Sequence, residues 1–247
     1  MVAPQFTGAV PTVTADQMAE ADRLATGPYG IDLLQMMELA GRALARIAQD
    51  RLDSSPPPVT VVAGGGGNGG GAMAAARRLR GFGFDVTTVL DREPGRLTGA
   101  AAHQATSLEA IGSRPSTRLP SEPGAVIVDG LIGYGLTDAP TGRAAELIDW
   151  MNASASTVIS LDVPSGSDAT TGESPGAVVG PDVILTLALP KSGFVRLPSD
   201  TTLLLADIAV PAALWRDHFG LDTLGLFATS DVVDISQAQL ADPPVES

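Results

Sequence analysis

The chain has 247 residues, enough for one large domain with a sizeable buried core and too few to require two. Its hydrophobic content of 44% fits an ordinary globular protein, no apolar run approaches the ~20 residues of a membrane span, and Met1 to Val13 lacks the basic patch and apolar core of a signal peptide. A formal net charge of −13 argues against nucleic acid or an anionic membrane as partner, while the absence of cysteine excludes disulfides, thiolate metal sites and a cysteine nucleophile; a cytoplasmic protein is expected.

Thr14 with Gln17 three positions on is a capping-box signature that starts a helix over 14–26. A second helix follows a cap at Asp32 and runs to about Leu52, with Leu33, Met36, Met37, Ala40 and Leu44 at helical spacing; its methionines read as core filler. The Pro56–Pro58 run breaks the chain before the first strand. Strands are then expected at Val59–Ala63, Asp85–Leu90, Ala125–Asp129, Thr157–Leu161, Val183–Leu189 and Thr202–Ala206. Helices are expected around 71–81, 98–112, 141–153 and 211–218. The strands are near-continuous apolar runs, the pattern of a sheet covered on both faces. This order predicts an α/β fold: a Rossmann-like doubly wound, mostly parallel sheet in three α/β/α layers, with an N-terminal helical extension. A single domain spans 1–247, with its core at about 14–229; the polar stretch 230–247 reads as a tail.

Ligands of open parallel sheets bind outside the carboxyl ends of the strands, so the loops there carry the functional reading. After the first strand comes Gly64–Gly71, where Gly67, Asn68, Gly69, Gly70 and Gly71 lead into a helix. Glycine lets backbone approach a ligand, and the helix start offers unpaired N–H groups to an anion. A flexible connection in a glycine-rich chain is the plainer alternative. Asp129 ends the third strand, where its carboxylate suits a hydroxyl, a metal, a proton or a turn cap. Asp162-Val163-Pro164-Ser165-Gly166 follows the fourth strand, and Pro190-Lys191-Ser192-Gly193 the fifth. Lys191 is the only lysine among 15 basic residues, either a functional ammonium or a chance survivor of an arginine-favouring composition. Four polar loops at one rim point to a common pocket for a small ligand. His103 and His218 fall in helices away from that rim, no Ser-His-Asp order or zinc spacing is present, and Trp150 and Trp215 read as packing residues.

Together these residues resemble the NAD(P)H-hydrate epimerase family, the YjeF N-terminal domain, over nearly the whole chain. Met36-Met37-Glu38 and Ala40-Gly41 resemble its helical opening. Asn68, Gly69, Gly70 and Arg77 align with its G-x-G-N-N-G-G-D-G loop and A-A-R helix. The 129–136 stretch is similar to D-A-L-F-G-T-G-L, and Asp162–Gly166 matches D-[IV]-P-S-G, with Thr171-Gly172 following. The resemblance implies an isomerase that interconverts the R and S epimers of hydrated NADH and NADPH at C6 of the nicotinamide ring, in cofactor repair. It implies a potassium ion on Asn68, Asp129 and Ser165. The loop of Gly133, Tyr134, Gly135, Leu136, Thr137, Asp138 and Ala139 would contact the cofactor phosphates. Asp162 would face the nicotinamide as general acid and base. A separate ADP- or ATP-dependent dehydratase would take the S epimer, and a homodimer is expected.

Three positions depart from the family pattern: Gly67 stands for an asparagine, Gly71 for the loop aspartate and Leu39 for an asparagine. An epimerase with a relaxed loop is therefore set beside two alternatives, a divergent isomerase or cyclase acting on another small molecule and a non-catalytic nucleotide-binding or scaffold module.

Overall fold

The computed structural model describes residues 3–52, 57–198 and 200–244; Pro56 of the proline run and residues 245–247 of the expected tail lie outside these. Strand β1 (Ala9–Pro11) precedes helix α1 (Ala15–Thr26). The Gln17 N–H donates to the Thr14 hydroxyl at 3.2 Å and the Thr14 N–H to the Gln17 side chain at 3.0 Å, the reciprocal cap read from the sequence. Asp32 and Gln35 build the same cap before α2 (Leu33–Asp50).

The main sheet follows from alternating strands and helices. Its strands are β2 (Val59–Ala63), β3 (Val86–Leu90), β4 (Val126–Gly130), β5 (Thr157–Leu161), β6 (Val183–Leu187), β7 (Thr202–Ala206) and β8 (Val232–Asp234). They lie in the order β3-β2-β4-β5-β6-β7-β8, all parallel except β8, which runs against β7. Helices α3 (Gly67–Gly81), α4 (Gly99–Ala110), α5 (Gly142–Asn152) and α6 (Ala212–Phe219) complete the doubly wound α/β fold.

Alternate residues of each buried strand feed opposite faces. Val61, Val128, Ile159 and Leu185 pack with Leu44, Met73, Leu79 and Leu108 of α2, α3 and α4. On the other face Val62, Ile127 and Val158 meet Leu147, Ile148 and Met151 of α5. Further along that face, Ile184, Leu203 and Leu205 meet Met18 of α1 and Leu214 and Trp215 of α6. The helices expected as an N-terminal extension are thus part of the two outer layers.

The stretch expected as a tail is built into the fold. It supplies β8, with Val233 and Ile235 buried, and β9 (Gln239–Ala241), which pairs in parallel with β1. This β1–β9 ribbon holds the chain entering α1. The Thr12 hydroxyl donates to the Ala241 carbonyl at 2.7 Å, and Val13 bridges in parallel to Lys191. Helix α1 is thereby set beside the loop that follows β6. The polar composition of 230–247 concealed this because its buried apolar positions are few: one short edge strand needs no long apolar run.

Strand order places the site. The chain leaves β2 toward β3 at one edge and leaves β4 toward β5 on the other side, although β2 and β4 are neighbours. The two connections diverge and open a crevice at the carboxyl ends of β2 and β4.

Candidate active site

A cavity of about 380 Å³ occupies that crevice. Gly66, Gly67, Asn68 and Gly71 of the α3 start line one wall, and Leu131, Ile132, Gly133, Tyr134 and Gly135 of the β4–α5 loop another. Leu161, Asp162, Leu187 and Lys191 come from the ends of β5 and β6. Met18, Asp22, Met36 and Met37 of α1 and α2 close it from above the sheet edge.

Several expected residues face elsewhere. A Cβ on Gly69 would stand 1.8 Å from the Gly64 carbonyl oxygen, so Gly69 is the backbone contact that lets α3 start against the end of β2. A Cβ on Gly70 would meet the Met37 side chain at 2.6 Å, which makes that glycine the seat of α2 on α3. Leu136, Thr137, Asp138 and Ala139 continue past the cavity rim and do not line it. Gly67 and Gly71, the two departures in the loop, do line it. A side chain at Gly67 would enter open space, whereas a Cβ on Gly71 would press on Leu161 at 3.0 Å.

The centre of the cavity is an ion pair. The fully buried Lys191 ammonium donates to Asp162 Oδ1, to the Leu187 carbonyl at 3.0 Å and to the Leu189 carbonyl at 3.1 Å. The Leu187 N–H donates to the same Asp162 oxygen at 3.2 Å, and the Thr186 hydroxyl at 3.4 Å. These bonds all use Oδ1 and leave Oδ2 for a ligand. Asp162 has φ 66°, and the Val163 N–H donates back across it to the Leu161 carbonyl at 2.9 Å. The chain repeats the device after β6: Ala188 has φ 61°, and the Leu189 N–H donates to the Leu187 carbonyl at 2.7 Å. Two three-residue turns with left-handed central residues thus end neighbouring strands. Such backbone is costly for non-glycine residues and gathers where a site dictates the geometry.

Beneath the floor, Asp129 is completely buried. Parallel register sets it opposite Ser160, whose hydroxyl donates to Asp129 Oδ2 at 2.7 Å. The Ser165 N–H donates to Oδ2 at 3.0 Å and the Ser165 hydroxyl to Oδ1 at 2.5 Å. Burial pushes the Asp129 carboxyl above the usual range, against the lowering effect of these bonds. Asn68 lies at the wall, its amide nitrogen buried without a partner.

A second pair lies at the cavity's upper side. The Tyr134 hydroxyl donates to Asp22 Oδ2 at 2.5 Å, tying the β4–α5 loop to α1. Burial raises the Asp22 carboxyl, and burial together with the Asp22 charge raises the Tyr134 phenol. The Lys191 ammonium is 6.0 Å from the centre of the Tyr134 ring. Sequence reading missed Asp22, because a carboxylate inside an amphipathic helix resembles any solvated one. It also took Met36 and Met37 as core alone; both are buried and both line the cavity. His103 and His218 lie on α4 and α6, and neither lines the cavity. Trp215 is buried against Phe219, ring centres 5.4 Å apart.

A family model described as YjeF-related protein N-terminus matches residues 33–193. The chain is 44% identical over 212 residues to an NAD(P)H-hydrate epimerase of Dehalogenimonas lykanthroporepellens, covering 84% of this chain and 85% of that protein. It is 36% identical to an NAD(P)H-hydrate epimerase of Truepera radiovictrix, over 83% of this chain and 93% of that one. A bifunctional NAD(P)H-hydrate repair enzyme of Hyperthermus butylicus matches at 36% over 68% of this chain, which spans 33% of that protein. In three dimensions the chain resembles the crystal structure of yeast ynu0, YNL200c, with a TM-score of 0.77 at 25% identity, covering 90% of this chain and 99% of that one. On these matches the chain belongs to the YjeF-related N-terminal family, whose curated members include the NAD(P)H-hydrate epimerases.

Proposed function

We propose that this protein is an NAD(P)H-hydrate epimerase, an isomerase of cofactor repair that interconverts the R and S hydrates of NADH and NADPH. The observation that carries the reading is the Asp162–Lys191 pair, buried at the strand ends with one carboxylate oxygen left for the cavity.

The reacting carbon bears a hydroxyl and is bonded to the ring nitrogen. Inversion there proceeds when a proton reaches the hydroxyl, the nitrogen lone pair forms a C=N bond, and water leaves. Water then adds to the opposite face and returns the proton, so nothing is gained or lost overall. Asp162 is placed to deliver and take back that proton, with Lys191 holding its carboxylate in position. The apolar surround of Met36, Met37 and Leu161 limits access of bulk water to the cation. The phosphates belong at the α3 start, where Gly66 and Gly67 present backbone N–H groups. The contacts of the ligand with Gly67, Asn68 and Gly71 and with Gly133, Tyr134 and Gly135 are part of this proposal.

Potassium on Asn68, Asp129 and Ser165 is compatible with the residues. The donors are oxygens, as a hard cation prefers, and no basic side chain is paired with the buried Asp129 among the described residues. Turning the Asn68 carboxamide about its Cβ–Cγ bond replaces its unpartnered nitrogen with oxygen. Bound there, the ion would neutralise Asp129 and tie the three loops together. A separate ADP- or ATP-dependent dehydratase as the next enzyme, a cytoplasmic location and a homodimer paired through the N-terminal helices belong to the same proposal.

The test is direct. Purified S hydrate of NADH, incubated with the protein, should give R hydrate by chromatography much faster than in buffer. Equal rates with and without protein would overturn the assignment.

A further inference from the structure

Three charged side chains line the cavity among the described residues: Asp22, Asp162 and Lys191. The ammonium of Lys191 has three N–H groups, and Asp162, the Leu187 carbonyl and the Leu189 carbonyl take them. It therefore has no donor left for a second anion. Asp22 stands apart from the strand-end loops, presented by α1, and its Oδ2 is fixed by the Tyr134 hydroxyl. No donor among the described residues reaches its Oδ1. The head of the cavity thus holds two carboxylates, one committed cation and two unfilled acceptor oxygens, Asp22 Oδ1 and Asp162 Oδ2. Such a wall receives an N–H donor well and repels a carboxylate.

We propose that Asp22, oriented by Tyr134, is a specificity-determining residue that selects a ring bearing a neutral carboxamide over the same ring bearing a carboxylate. This rests on the epimerase reading, because that reading puts the nicotinamide end of the ligand beside Asp162. The carboxamide N–H groups are the natural partners of Asp22 Oδ1. A nicotinic-acid ring in the same place would set a third carboxylate against the two already there, without a cation to meet it.

The experiment compares the hydrate of NADH with the hydrate of the reduced nicotinic-acid dinucleotide as substrates. The wild type should favour the carboxamide by about a hundredfold in kcat/KM, as like-charge juxtaposition predicts. In Asp22→Asn that ratio should fall to within about tenfold, whatever the overall rate, since asparagine keeps an acceptor for Tyr134 and loses the charge. Tyr134→Phe should keep most of the preference, because the carboxylate remains. Equal use of both substrates by the wild type, or an undiminished ratio in Asp22→Asn, would overturn the proposal. Should neither substrate be epimerised, the activity reading fails by itself. Thermal-shift titration with NADH and with reduced nicotinic-acid dinucleotide then decides the specificity: stronger binding of the amide form, weakened selectively by Asp22→Asn, is expected, and equal binding overturns it.

Discussion

Asp162 combines a left-handed backbone with a buried charge, and each depends on Lys191. The lysine ammonium neutralises the carboxylate and also binds the Leu187 and Leu189 carbonyls that flank the second strained turn. Lys191→Met should therefore leave a buried, unpaired carboxylate and cost about 3–5 kcal/mol in a denaturant melt at neutral pH; a loss under 1 kcal/mol would show the pair to be structurally idle. Asp22 makes a different prediction. Burial raises its carboxyl, outweighing the bond from Tyr134, so the ionised form on which the proposed selectivity depends is held at a cost to the fold. The stability that the protonated form contributes is present below the unfolded value of about 3.9 and is lost as pH rises through the higher folded value. Asp22→Asn, which does not titrate, should gain on the wild type as urea melts move from acid toward neutral pH. A constant difference between the two across that range would contradict the sign.

At the level of elements, the glycine-rich start of α3 divides into two classes that composition hides. Gly69 is dictated by packing: a methyl there would overlap the Gly64 carbonyl, so Gly69→Ala should cost at least about 1–3 kcal/mol. Gly67 faces open cavity, and Gly67→Ala should leave the unfolding free energy within about 0.5 kcal/mol of wild type while narrowing the site. Comparable destabilisation by both would refute this division. A run of identical residues carries no pattern from which to separate them; the difference arises only when α3 docks on β2, β4 and α2. The strand ends were different. Asp129, Asp162, Ser165 and Lys191 each follow a buried apolar run, so their gathering at one edge was legible, while the direction each faces was not. Asp129 and Ser165 proved to lie under the cavity floor.

For the whole molecule, the alternation of apolar runs and helical stretches gave the doubly wound sheet, and the crevice followed from its strand order. What the sequence left unread was long-range: the ribbon of β1 with β9, and the antiparallel β8 on the sheet edge. The ribbon joins chain ends more than 200 residues apart in sequence, as the Thr12–Ala241 bond shows, and β8 turns back onto β7 only after α6; local periodicity carries no trace of either pairing. Their role is testable. Removing residues 232–247 uncovers the edge of β7 and takes away Val232, Val233 and Ile235, each worth about 1.5–3 kcal/mol when buried. The truncated chain should unfold at clearly lower denaturant and associate through the bared edge. An unchanged midpoint would mean that the segment is dispensable.

The central claim is that Asp162 moves the proton in epimerisation. It is tested most directly by giving R hydrate of NADH to the wild type and to Asp162→Asn, each with an excess of an S-specific dehydratase, and following the return of NADH absorbance. Asparagine tolerates a left-handed φ and keeps an oxygen for the buried Lys191 ammonium but removes its counter-charge, so retained dinucleotide binding is the check that the site survives in the variant. The wild type should clear the R form well above the spontaneous rate, and Asp162→Asn should lose about 10²–10⁴-fold of that rate while still binding dinucleotide. A variant as fast as the wild type, or a wild type no faster than buffer, would contradict the account.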